Sequence, residues 1–77
     1  MKLGELGVGE RGRVVALAKG ERTYREKLLA MGLTPGTEFT VARLAPLGDP
    51  VEITVRGFSM TLRKREAEML SVERAQG

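Results

Sequence analysis

The chain has 77 residues, with 13 basic and 10 acidic side chains for a formal charge of +3, and it contains neither cysteine nor histidine. That length allows one domain with a small core, which buries only somewhat over roughly 60% of the unfolded surface. The missing residue types exclude disulfides and thiolate metal sites, and they remove the commonest general base and the commonest transition-metal ligand.

The N-terminal stretch "MKLGELGVGERG" has glycines and glutamates where a secretory leader needs an apolar run. No apolar run approaches the length of a membrane span, so the expectation is a cytosolic protein without membrane insertion. The glycines of "GVGERG" do not form a phosphate loop, because no lysine followed by serine or threonine closes them. Residues 12–18, "GRVVALA", predict a mostly buried strand. After the break "KGER", Thr23 and Glu26 stand at capping-box spacing and predict a helix start. Tyr24, Leu28 and Met31 fall at i, i+4 and i+7, on one helical face. Gly32 is placed for a left-handed C-terminal cap, with Leu33 folding back on the last turn.

"TPGT", residues 34–37, is a type II turn pattern, with proline and glycine at its centre. "EFTVARLA" predicts a strand with Phe39, Val41 and Arg43 on one side and Thr40, Ala42 and Leu44 on the other. "VEITV" and "FSMTL" alternate around Arg56-Gly57, predicting a hairpin over 51–62 that points Val51, Ile53, Val55, Phe58, Met60 and Leu62 inward. "RKREAEML" predicts one or two helical turns with Ala67 and Leu70 inward, and "SVER" a closing strand. The tail "RAQG", 74–77, is expected to fray. The fold expected is mainly β. It is a single domain over 1–77, a small SH3-like barrel of about five strands with one short α-helix inserted after the first strand. Closure is favoured because it removes edges.

Catalytic constellations are absent from this pattern, and no enzymatic role is expected. Oxygen ligands exist at Glu5, Glu10, Glu21, Asp49 and Glu52, without the spacing of a ligand loop, and no metal or cofactor is expected. Protein recognition has two candidates. Leu28 and Leu29 are adjacent and point about 100° apart, so one short helix against one barrel need not cover both. Leu47 sits inside "LAPLGDP", a loop stiffened by Pro46 and Pro50, where it is either tucked under or a contact residue. The alternative is a basic barrel that binds RNA or DNA through Arg43, Arg56, Arg63, Lys64 and Arg65, although aromatic stacking platforms are few.

Residues 27–70 resemble the ferrous iron transport protein A (FeoA) family. The resemblance runs through Leu28, Leu29, Gly32, Leu33, Pro35, Gly36, the loop Ala45 to Pro50, Gly57, Leu62, Arg63, Lys64 and Ala67. The opening "LGELGVGERGRVVAL" resembles the family's start, so coverage is nearly the whole chain. The resemblance implies a non-enzymatic accessory protein of bacterial ferrous iron uptake, in the cytoplasm. Its partner would be the FeoB permease with its cytosolic GTPase domain, met at the inner face of the membrane. Iron would be the system's cargo. The expected contact residues are Tyr24, Leu28, Leu29, Met31, Leu33 and Leu47. Self-association stays open, given leucines at the surface and short edge strands.

Overall fold

In the computed structural model, residues 1–19 and 22–75 are described. Five strands, β1 (Arg11–Leu17), β2 (Glu38–Leu44), β3 (Val51–Val55), β4 (Phe58–Leu62) and β5 (Leu70–Arg74), form one antiparallel sheet in the order β4-β3-β2-β1-β5. Helix α1 (Arg22–Ala30) follows β1, and the short α2 (Lys64–Glu68) links β4 to β5. Among the described residues no helix is long and apolar enough to cross a membrane. The sheet curls around a core of Val14, Phe39, Val41, Val51, Ile53, Val55, Leu62, Leu70 and Val72. Leu3 and Leu6 from the N-terminal turn, Leu28 and Leu33 from α1 and its exit, and Ala67 and Met69 complete it.

The C-terminus of α1 follows its sequence. Gly32 takes φ 93°, while its amide donates to Leu29 O and the Leu33 amide to Leu28 O, both at 3.0 Å. This 6→1 and 5→2 pair closes the helix and folds Leu33 into the core. Arg56 and Gly57 both take positive φ, 51° and 85°, in the tight turn that twists with its strands.

Several expectations need correction. Helix α1 begins at Arg22, so Thr23 lies inside its first turn, and the Glu26 carboxylate pairs with Arg22 Nε at 3.1 Å. Irregular pairing between Val14 and Ala16 leaves Val15 and Ala16 exposed, so β1 is not mostly buried. A similar shift between Val41 and Arg43 in β2 turns Arg43 out and packs Leu44 against the core. An extra residue in one strand reverses the side-chain alternation beyond it. Phe58 is 75% exposed although it shares the face of buried Val55, because β4 is the sheet edge and the core ends before the turn. Arg74 pairs with Gly12, and the Ala75 amide donates to Arg11 O at 3.0 Å, so these two residues continue the sheet. Gln76 and Gly77 lie outside the described residues, as do Gly20 and Glu21.

Gly12 has a packing reason. A Cβ there would stand 2.5 Å from Phe39 Cζ and 2.9 Å from Leu6 Cδ1. The missing side chain is what lets the Phe39 ring lie over β1, directly opposite Gly12 in the ladder.

Candidate functional site

The loop from Ala45 to Pro50 is built from the backbone outward. The Ala45 amide donates to Pro50 O at 3.1 Å, and the Gly48 amide to Ala45 O at 2.8 Å. The second bond closes a turn with Pro46 and Leu47 at its centre. Leu47 takes φ 68° and ψ 10°, the third position of a type II turn, which glycine ordinarily occupies. The Asp49 Oδ1 accepts from the Lys64 amide at 3.1 Å and ties the loop to the start of α2. The result is a fixed spur whose leucine is 99% exposed. A bulky apolar side chain is thus held in a left-handed backbone and pointed into solvent, an unfavourable combination for the isolated chain.

Two grooves flank the spur. One is lined by Lys2, Gly4, Glu5, Val51 and Ala67 beside Leu47 itself. The other is charged and lined by Tyr24, Lys27, Asp49, Arg63, Arg65 and Glu66; Lys64 and Glu68 form the ridge common to both. Glu66 is the buried polar centre here. Its Oε1 accepts from the Arg63 amide at 2.9 Å, and Lys27 Nζ approaches Oε2 to 2.6 Å, ionic but off the hydrogen-bond axis. Burial alone would raise the Glu66 carboxyl. Lys27 and the Arg63 amide outweigh it, and the net effect holds the group below its ordinary value of 4.5.

Since folding lowers this pKa, the unfolded chain takes up the proton first as pH falls. The stabilisation is present above the ordinary value and is lost as pH drops through the depressed one. Glu10 acts in the same sense through the Gly7 amide and Arg74. Thermal melts between pH 7 and pH 3 are therefore expected to fall on the acid side. Lys27→Met, which leaves burial of Glu66 unopposed, should move that fall to higher pH; a superimposable profile would remove Lys27 from the account.

Of the contact residues expected from sequence, the structure brings Tyr24 and the Leu47 spur to neighbouring grooves. Tyr24 is half-buried against the core, Leu29 is half-buried, and Met31 lines a third groove on another side. Leu28 and Leu33 are fully buried in the chain's own core and have no side-chain surface for a partner, because the Tyr24–Leu28 face and the folded-back cap both turn inward. Sequence reasoning missed Glu66. The signal was its place three residues after Arg63, in the first turn of a short helix, where a glutamate reaches back to the amide of the capping residue. The same arrangement recurs at Lys2 with Glu5 and at Gly7 with Glu10, both at 2.6 Å.

That recurrence also accounts for two of the oxygen ligands. Glu5 and Glu10 hold backbone amides, Asp49 holds the loop, and Glu21 lies outside the described residues. Among the described residues, no three acidic side chains gather as a metal site. The basic set is divided as well. Arg63, Lys64 and Arg65 line the charged groove, Arg56 lines others, and Arg43 stands opposite Glu52 in the sheet.

A family model, a curated relative and several solved structures point to one family. The FeoA domain matches residues 1–74. The chain is 34% identical over 73 residues to a Fe(2+) transport protein A/Fe(2+) transporter FeoB fusion protein of Porphyromonas gingivalis, covering 95% of this chain and 8% of that protein. The chain thus spans only a small part of that curated relative's length. Among solved structures it is similar to the FeoA protein from Chlorobium tepidum, at 42% identity and a TM-score of 0.88, covering 100% of this chain and 72% of that one. It shares the fold of Stenotrophomonas maltophilia FeoA, described as an SH3 domain protein, at 24% identity and a TM-score of 0.82, covering 95% of this chain and 89% of that one. With the helix between β1 and β2, the proline–glycine turn and the leucine spur all in the order the sequence led one to expect, the chain belongs to the FeoA family, a family linked to ferrous iron transport.

Proposed function

We propose that this chain is a non-enzymatic accessory domain of ferrous iron uptake that binds a FeoB-type permease and modulates Fe(II) transport by protein contact. The Leu47 spur carries the reading. A leucine fully exposed at positive φ makes no contribution to its own fold and is suited to insertion into an apolar pocket of a partner. Tyr24, which lines the charged groove beside the spur, extends the contact. The relative in which FeoA and FeoB are one polypeptide supports the choice of partner. On this reading the domain is cytoplasmic and meets the inner face of the membrane when bound.

The test is binding of the purified chain to the detergent-solubilised permease of the same host, with and without a non-hydrolysable GTP analogue. Saturable binding in either nucleotide state is the expected result, together with a changed rate of iron uptake when both are reconstituted. Absence of binding in both states by a folded chain sinks the proposal.

A further inference from the structure

We propose that β4 is a docking edge for an extended segment of another protein, apolar at alternate positions and acidic at both ends. The groove beside this edge shares no lining residue with the two beside the Leu47 spur; the basic residues that follow β4 are common to the edge and to the charged groove there.

The two edges of the sheet are treated differently. At β5 the Val72 amide donates to Met1 O at 2.8 Å, and Lys2 bridges to Ser71, so the N-terminal residues cover that edge. At β4, among the described residues, only β3 is paired. Val55 and Phe58 flank the two-residue turn and form the first hydrogen-bonded pair. The antiparallel alternation then directs the N–H and C=O of Met60 and Leu62 to β3, and those of Ser59 and Thr61 outward. Among the described residues neither Ser59 nor Thr61 has a backbone partner beyond the sheet. The open edge therefore offers two donors and two acceptors at the spacing an added strand requires.

Beside that edge runs a groove of about 380 Å³ lined by Met31, Gly32, Val55, Arg56, Phe58 and Met60. Alternate side chains of an added strand would enter it and cover Phe58. Charge selects the occupant. Arg56 stands before β4 and Arg63, Lys64 and Arg65 follow it, and none of the four has a carboxylate within 4 Å among the described residues. Charged brackets of this kind guard an edge against copies of itself. A two-fold antiparallel pairing would set Arg56 of one copy beside Arg63 and Lys64 of the other. The same brackets attract a strand with acidic ends.

A capped peptide of alternating valine and threonine, with an Asp–Glu pair at each end, is the probe. Titrated into the ¹⁵N-labelled chain, it should shift resonances from Phe58 to Leu62 and slow exchange of the Ser59 and Thr61 amides by about tenfold or more. N-methylation of alternate peptide amides, lysines in place of the acids, or Thr61→Pro in the protein should each weaken binding by about tenfold or more. Leu47→Gly should leave it unchanged. The N-methyl peptide keeps the test valid should the proline variant fold poorly. No response in β4, binding indifferent to N-methylation, or a β4-mediated dimer of the chain alone would each overturn the proposal.

Discussion

Leu28→Gln is expected to unfold much of the population at room temperature rather than to alter a surface. Leu28 is completely buried, and its carbonyl accepts the Leu33 amide that closes α1. Removing a buried leucine costs about 2–5 kcal/mol, and a buried amide without partners adds about 1–3 kcal/mol. A domain of this size has total stability on the order of 4–12 kcal/mol. Loss of the cooperative thermal transition, or a midpoint lowered by about 15 °C or more, is the result to look for by circular dichroism. A variant that melts like the parent would place Leu28 outside the core and return it to the list of contact residues.

Leu47→Gly is expected to separate binding from stability. A left-handed backbone costs a residue with a Cβ roughly 1–2 kcal/mol, and glycine removes that cost while adding about 0.5–1 kcal/mol of unfolded-state entropy. The net change in stability is near zero or slightly favourable. Burial of the leucine in a partner's pocket is worth about 1.5–3 kcal/mol, so affinity for the permease should fall by about ten- to a hundredfold. Paired melting and binding measurements decide the matter. A large stability loss with intact binding would make Leu47 a structural residue and remove the spur from the interface.

The sequence was most legible where a local rule and the tertiary structure ask for the same residue. Gly32 and Leu33 spell out the helix exit, and Arg56-Gly57 the hairpin turn, because a backbone in the left-handed region selects its residues directly. Strand β4 was legible as a strand but not as an edge. Alternation puts Phe58 on the inward face, and only the sheet order shows that this face extends past the core. The irregularities at Val15 and Ala42 left no mark, since they are set by how two distant strands must bend around one core. For the site, the loop composition announced a rigid turn and raised Leu47 as a candidate. The ambiguity between Leu28 and Leu29 needed packing to resolve. Glu66 was hidden because a carboxylate in a charged run reads as solvated until Lys27, from a helix far back in the chain, is seen beside it.

The pairing of β1 with β5 also sets an order of assembly. The hairpin of β3 and β4 and its join to β2 bring together residues close along the chain, and such contacts form on the microsecond scale. Arg13 and Glu73, by contrast, meet across 60 positions of chain. Their ladder must wait for that long loop to close, and a large share of the folding barrier belongs to this closure. In the native state the same asymmetry runs backward. Amide exchange should reveal a cooperative unit of β2, β3 and β4 that outlasts transient unzipping of the first strand from the last. On that expectation the domain retains its meander while the seam that joins its two ends opens.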